Sequence, residues 1–201
     1  KALCEGLPRL GLVLSEQIQD QLCAFGAAVV EQNKVMNLTA ITEPEQVAKL
    51  HLLDSISLLT LQDLRGKKLI DVGCGAGFPG VPVKIACPEA DVTLLDSLGK
   101  RMAWLEQILP TLGVQAKCIT ARAEEAVATC REQYDIATSR AVARLNILLE
   151  LTAPYVKVGG AVLAMKGTAA QEELEEAQNA IRRLGLKLEK VAQFPADGTA
   201  H

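Results

Sequence analysis

The apolar pair Leu69-Ile70 closes on Asp71 and runs within two residues into four glycines spread over eight positions: Gly73, Gly75, Gly77 and Gly80. No other stretch constrains the fold as strongly. A short apolar run that ends in backbone without Cβ atoms, ahead of a helix-length segment, suits a chain whose main chain must lie close to a bound molecule.

The surrounding pattern says which fold holds that loop. Downstream of Arg65, short β-rich runs alternate with longer helical ones, the signature of βαβ units and a parallel sheet. The spacing predicts strands over Lys68 to Val72, Val92 to Asp96, Ala116 to Thr120, Tyr134 to Ser139, Gly160 to Lys166 and Leu186 to Phe194. Helices are expected over Pro79 to Ala86, Lys100 to Leu112, Glu124 to Arg131, Leu145 to Tyr155 and Ala169 to Leu184. Upstream, Ile18, Leu22, Phe25, Val29 and Val30 recur at helical steps between Ser15 and Asn33. A second helix is expected from Thr42 to about Gln62, with Thr42 as N-cap, Pro44 in the first turn and Glu45 completing a capping box. The reading is α/β: a Rossmann-like, mostly parallel sheet over 65–201 with an N-terminal helical extension over 1–64. At 201 residues and 49% hydrophobic, the chain suffices for one core plus that extension.

Composition excludes several roles. Every apolar run is interrupted well before the roughly 18 to 20 residues of a bilayer span, and no charged-then-apolar leader opens the chain, so a cytoplasmic protein without a membrane is expected. The six cysteines are scattered, which gives neither a zinc knuckle nor a disulfide scaffold, and no metal is expected. A net charge of -3 does not fit a protein held to nucleic acid by its overall field. Any RNA contact must be local, and no DNA partner is expected. The sequon Asn37-Leu38-Thr39 reads as backbone chemistry at a helix end. The acidic cluster Glu172, Glu173, Glu175 and Glu176 reads as a solvated helix face.

Two fingerprints overlap in the loop: G-x-G-x-x-G at Gly75, Gly77 and Gly80, and D-x-G-x-G-x-G from Asp71 through Gly77. In a dinucleotide site the glycines open a helix N-terminus to a pyrophosphate, and Asp71 would stand as a negative charge beside it. S-adenosylmethionine carries a sulfonium and an ammonium and no phosphate, so an acid at the strand end favours it. Asp96 closes the second strand, where a carboxylate can accept hydrogen bonds from both ribose hydroxyls; this suits either ligand.

At this point the residues resemble a known family. "NLTAITEP", "HLLDSISLL", "DVGCGAGFPGVPVKI", "TLLDSLGKRMAWLE", "ARAEE", "SRAVARL" and "LAMKG" together are similar to the RsmG (GidB) family, bacterial 16S ribosomal RNA (guanine-N7)-methyltransferases. The resemblance implies a class I S-adenosylmethionine-dependent methyltransferase fold, with the small ribosomal subunit as partner and the chain expected as a monomer. It implies cofactor contacts at Gly73 and Phe78 in the loop, at Ala123 and Glu124 after the third strand, and at Arg140 on the fourth strand's edge. Asp71, Gly75, Gly77 and Asp96 join that set from the reading of the loop. Arg122, Arg140 and Lys166 stand beside the carboxyl ends of three strands, and the resemblance implies that they position RNA. Lys100 and Arg101 suit either a phosphate or a helix cap. His51, among leucines, reads as a satisfied, partly buried histidine.

Other methylations fit less well. Ser139-Arg140-Ala141-Val142 stands where exocyclic-amine methyltransferases carry Asn/Asp-Pro-Pro-aromatic, and no cysteine has the setting of a ring-attacking thiolate. Guanine N7 has an unprotonated in-plane lone pair, so neither nucleophile nor general base is expected. Family members continue past "FPADG" with a further strand, whereas this chain stops at His201, and that last strand is expected to be missing. Two rival readings are an NAD-dependent oxidoreductase and a non-catalytic RNA-binding or assembly module. The first lacks a set Tyr/Lys pair, and the second lacks aromatic residues, which make up 3% of the chain.

Overall fold

β1 (Lys68–Val72) sits at the centre of a five-stranded sheet because both of its faces are covered: its last four residues are buried, with one exposed residue at its start. Such burial on both sides is what a near-continuous apolar strand selects. The structure is a computed structural model, and it describes residues 1–196 and 199–200. The other strands of the sheet are β2 (Asp91–Asp96), β3 (Lys117–Thr120), β4 (Tyr134–Arg140) and β5 (Val156–Met165), in the order β3-β2-β1-β4-β5. All four pairings are parallel. The chain therefore reverses its winding at β1, and the carboxyl ends of β1, β2 and β4 open on one crevice.

Alternation along each strand assigns the two layers. Leu69, Val92, Leu94 and Ile136 face a large core shared with α2 (Glu16–Met36), α5 (Gly80–Ala86) and α6 (Gly99–Thr111). Ile70, Val72, Leu95 and Ala137 face the other way, against α7 (Ala123–Cys130) and Tyr155. The N-terminal helices belong to the first layer: Leu22, Phe25 and Val29 of α2 lie in one cluster with the sheet's own residues. Phe25 meets Phe78 at 5.3 Å between centroids and Trp104 of α6 at 6.5 Å. The extension is thus packed onto the sheet through the same core.

Ser15 caps α2 by accepting from Ile18 N, and Asn37 ends it in the left-handed conformation (φ 49°), which places the Asn37-Leu38-Thr39 tripeptide at a helix end as read from the sequence. Two short elements precede it, α1 (Ala2–Gly6) and a 3₁₀ turn (Pro8–Leu10), which periodicity did not reveal.

The second predicted helix is broken. It consists of α3 (Pro44–Val47), a π-helical turn (Ala48–Leu53), α4 (Asp54–Ile56) and a 3₁₀ turn (Ser57–Thr60). The capping box at Thr42 does not form, because the helix starts one residue later on Glu43, which puts Glu45 at the second helical position and out of reach. Ser55 Oγ bonds back to His51 O at 2.5 Å, a side-chain bond that competes with the regular ladder. The helix predicted to Tyr155 stops as α8 (Leu145–Thr152), with Pro154 in a terminal 3₁₀ turn. That predicted over Ala169 to Leu184 divides at buried Ala177 into α9 (Ala170–Glu176) and α10 (Gln178–Arg183). The sixth predicted strand, Leu186 to Phe194, is not a strand. Leu188 and Val191 stand exposed there, and β5 is an edge of the sheet. Instead β6 (Pro195–Ala196) and β7 (Thr199–Ala200) pair antiparallel. His201 lies outside the described residues, as do Asp197 and Gly198 of the "FPADG" region.

Candidate active site

The four glycines divide by what a side chain would meet. Gly73 and Gly75 adopt left-handed φ values of 73° and 57°. A Cβ on Gly75 would stand in open space, with Arg101 Nη1 4.0 Å away as its nearest neighbour. A Cβ on Gly80 would lie 2.5 Å from Leu94 and 2.9 Å from Asp71, and one on Gly77 2.8 Å from Val81. Gly75 therefore keeps a cavity clear, while Gly77 and Gly80 let the loop and α5 press onto the core.

Hydrogen bonds fold this loop over β2. Gly73 N and Cys74 N both donate to Leu95 O, at 2.8 and 3.0 Å. Asp96 then joins loop to strand: Oδ2 accepts from Gly75 N at 2.8 Å and Oδ1 from Leu98 N at 2.9 Å. A carboxylate oxygen has a second acceptor position, so Asp96 can still receive two hydroxyl groups. Asp71 works beneath the loop. Its Oδ2 accepts from Gly80 N at 2.7 Å at the start of α5, its Oδ1 has no partner among the described residues, and burial pushes its carboxyl up to about 7.

The crevice encloses a cavity of about 610 Å³. Gly73, Gly75, Phe78, Asp96, Arg122, Ala123, Glu124 and Arg140 all line it, drawn together from the tips of four strands. Arg122 is the N-cap residue of α7, and Ala123 O accepts from the Tyr155 hydroxyl at 2.6 Å, which anchors the turn after β3.

Three of the residues expected to hold the cofactor or position RNA are not on the wall. Asp71 and Gly77 lie under it, where Asp71 Oδ2 and the bare Gly77 backbone help to hold the loop. Lys166, expected on the rim, is paired: Glu173 of α9 takes it at 2.7 Å, both side chains are about 12% exposed, and it donates to Ala143 O. The helix expected to be a solvated acidic face is in part a clamp on β5 and α8, for Glu173 also accepts from Leu145 N, and Arg144 bonds Glu172 and Glu176.

Arg140 is tied to the extension. Nη1 donates to Leu50 O and Asp54 Oδ2, both at 3.1 Å, Nη2 lies 2.9 Å from His51 Nδ1, and the guanidinium stands over the Phe78 ring at 5.3 Å. His51 stacks on the same Phe78 ring, 4.7 Å between centroids, and also lines the cavity. Burial, then the Arg140 charge, hold its imidazole down at about 4. Ala141, at φ 56°, turns the chain sharply after Arg140.

Sequence reasoning missed Thr39 on this wall and read His51 as a satisfied, partly buried histidine, which it is, without placing it in the cavity lining. The one signal was their place in the motifs "NLTAITEP" and "HLLDSISLL", which periodicity cannot interpret. Arg101, left undecided, lines the cavity, and its side chain makes no hydrogen bond or ion pair among the described residues, whereas Lys100 is exposed in the first turn of α6.

A parallel sheet with this strand order, a glycine loop after β1 and an acid ending β2 define the class I methyltransferase fold. Solved structures share it. Precorrin-6y C5,15-methyltransferase from Geobacter metallireducens superposes with a TM-score of 0.57 at 15% identity, over 80% of this chain and 79% of that one. The tRNA (m1A58) methyltransferase TrmI from Aquifex aeolicus gives 0.54 at 15% identity, over 65% and 51%. The chain belongs to the GidB family, rRNA small subunit methyltransferase G, whose pattern matches residues 18–199. It is 43% identical over 205 residues to the ribosomal RNA small subunit methyltransferase G of Alkaliphilus metalliredigens, covering 99% of this chain and 86% of that protein. It is 45% identical over 188 residues to the protein of the same name from Streptococcus sanguinis, covering 91% and 79%. The oxidoreductase and the non-catalytic module are thereby set aside. Among the described residues, no helix is long and apolar enough to cross a membrane.

Proposed function

We propose that this chain transfers a methyl group from S-adenosylmethionine to N7 of a guanine in 16S ribosomal RNA of the small subunit, acting as a cytoplasmic monomer. The observation that carries the cofactor is the pairing of Gly75 with Asp96: bare backbone on a cavity wall, tied to a carboxylate with acceptor positions to spare. A side chain at Gly75 would fill the space a ligand needs. Asp96 would hold the ribose hydroxyls, Gly73 and Gly75 the methionine portion, and Ala123 and Glu124 the adenine end. Asp71, Gly77 and Phe78 support that cradle from beneath and beside it. When bound, S-adenosylmethionine supplies an electrophilic methyl on a sulfonium, and transfer to a base nitrogen moves the positive charge from sulfur to the base.

The wall near β4 supports N7 as the acceptor. His51 is neutral, and its Nδ1 lone pair faces a guanidinium that only donates, so it is a poor base. Burial pushes the Cys74 thiol far up, which removes it as a nucleophile. N7 needs neither, and catalysis then rests on orientation and exclusion of water. Arg122, Arg140 and Arg101 line the side from which RNA enters, and the residues divide by role into a helical segment, 1–64, and a sheet domain, 65–201.

Single-turnover methylation of small subunits at saturating S-adenosylmethionine tests the reading. The rate is expected to stay nearly flat from about pH 6 to pH 8.5, since no proton leaves before transfer. A tenfold climb per pH unit overturns the base-free mechanism, and product mapped to an exocyclic amine overturns the acceptor. Running it on naked RNA as well identifies the form of substrate.

A further inference from the structure

Thr39 is clamped at both backbone groups by one amide: Asn33 Nδ2 donates to Thr39 O at 2.9 Å, and Thr39 N donates to Asn33 Oδ1 at 2.8 Å. Its hydroxyl oxygen meets Ile41 N at 3.1 Å and His51 Nε2 at 2.8 Å. The direction of the second bond is decided across the imidazole. Arg140 Nη2 lies 2.9 Å from His51 Nδ1, and a guanidinium has no acceptor to offer. Nδ1 therefore carries the lone pair, and the ring proton sits on Nε2, facing Thr39. The Thr39 oxygen accepts from Ile41 and His51 together, which uses both of its lone pairs. Its own proton is left to donate, and no acceptor for it stands among the described residues. Thr39 lines the cavity.

We propose that Thr39 is a specificity-determining residue of the methyl transfer, donating its hydroxyl proton to O6 of the guanine whose N7 is methylated. This rests on the guanine-N7 reading above. Along that edge of a purine, guanine presents N7 and O6, both acceptors, whereas adenine places an amine donor beside N7. A hydroxyl that cannot accept pairs with guanine and leaves adenine with donor against donor.

Position agrees with this. The sheet order puts Asp96 of β2 on one side of β1 and Arg140 of β4 on the other, and Thr39 is joined to Arg140 through His51. Thr39 thus serves the side of the crevice away from the ribose acid. Charge agrees as well. Arg140 is paired with Asp54 at 3.1 Å, and His51 is neutral, so this wall carries no surplus cation and suits a neutral carbonyl better than the carboxylate of a methionine. His51 and Arg140 act through Thr39 and are positioning residues, which orient the one donor.

The test compares the full chain with Thr39→Val and Thr39→Ser on reconstituted small subunits carrying either guanine or 2-aminopurine at the target, since 2-aminopurine keeps N7 and lacks O6. On guanine, Thr39→Val is expected to slow single-turnover transfer by roughly 10- to 100-fold, the loss of one buried hydrogen bond with its partner left unpaired. Thr39→Ser restores most of the rate. The unsubstituted protein pays a penalty on 2-aminopurine of similar size, and Thr39→Val pays almost none beyond its own loss. Equilibrium dialysis is expected to give all three proteins the same affinity for S-adenosylmethionine. The proposal is overturned by a wild-type rate for Thr39→Val on guanine, by an equal 2-aminopurine penalty in both proteins, or by lost cofactor affinity, which would assign the donor to the methionine carboxylate. Should Thr39→Val not fold, the absence of any 2-aminopurine penalty in the unsubstituted protein overturns it alone. Failure of the underlying reading looks different: the unsubstituted protein then leaves no N7-methylguanosine in unmodified subunits.

Discussion

The cavity has two walls built in different ways. The wall at β1 and β2 is backbone: Gly73 and Cys74 donate to Leu95, Gly75 donates to Asp96, and neighbours in the sheet hold each partner in register. The wall at β4 is a chain of side chains, Thr39 to His51 to Arg140 to Asp54, that spans residues 89 apart in the sequence between His51 and Arg140. A backbone wall is set by local geometry and tolerates no side chain. A side-chain wall is set by partners from distant elements, so each member can be removed singly and read out in the next.

The largest effect is expected on the backbone wall. Gly75→Val places a branched side chain in the cavity at a left-handed φ, at a folding cost of about 1 to 2 kcal/mol. Affinity for S-adenosylmethionine should fall by about 100-fold or more, beyond roughly 2.7 kcal/mol, in equilibrium dialysis. Gly80→Ala makes the contrast: its Cβ strikes Leu94 and Asp71, so thermal stability should fall more than in Gly75→Val. An unchanged affinity in Gly75→Val would remove the cofactor from this wall.

Asp96→Ala comes next. It removes an ionised acceptor and frees the Gly75 and Leu98 amides, and dialysis should show binding weaker by roughly 1.5 to 3 kcal/mol. An effect within error would leave Asp96 as a loop anchor alone.

The pH dependence of stability sharpens the comparison, because His51 on one wall and Asp71 beneath the other are both buried and oppose each other. His51 is held down at about 4 from 6.5, so the unfolded chain binds more protons between those values, and stability is lost as pH falls from about 6.5 to 4. Asp71 is pushed up from 3.8 to about 7, so the folded chain binds more protons, and stability is lost as pH rises from about 4 to 7. Denaturant unfolding across pH 4 to 7 should show His51→Gln losing stability more steeply with rising pH than the parent, and Asp71→Asn the reverse. Each change is on the order of 3 to 4 kcal/mol over the window. Parallel curves for parent and both variants would contradict the burial of these groups.

The smallest effect lies at the rim. Arg122→Ala should lower the slope of log affinity for RNA against log salt by about one, if its guanidinium meets a phosphate. Lys166→Ala should leave that slope alone and lower stability, because Lys166 is spent on Glu173. A salt slope that moves with Lys166 and not with Arg122 would reverse this division of the rim.

What was legible depends on range. β1 was read to the residue, and β2 to β4 nearly so, because a strand buried on both faces writes itself as a local apolar run. The loop and Asp96 were legible for the same reason: glycines and an acid at a strand's end are local marks. The pairing of Lys166 was not legible because its partner, Glu173, comes from another helix, and a lysine beside a strand end looks the same whether paired or free. The segment from Pro44 to Thr60 was read as one helix because its apolar spacing is helical, yet it contains a π-helical turn that carries His51 into the cavity wall. Leu186 to Phe194 has strand-like composition, and composition does not supply a ladder partner.

By itself, the amino-acid order determined the alternation of strands and helices, the glycine loop and the acid that ends β2, since each depends on conformational preference and burial within a few residues of chain. Only the tertiary structure decided which glycines face the cavity and which face the core. It also decided that Asp71 works beneath the loop, that Lys166 is neutralised, and that Thr39 and His51 join Arg140. These follow from contacts between elements far apart in the chain, where a side chain's role is set by the partner that reaches it in space.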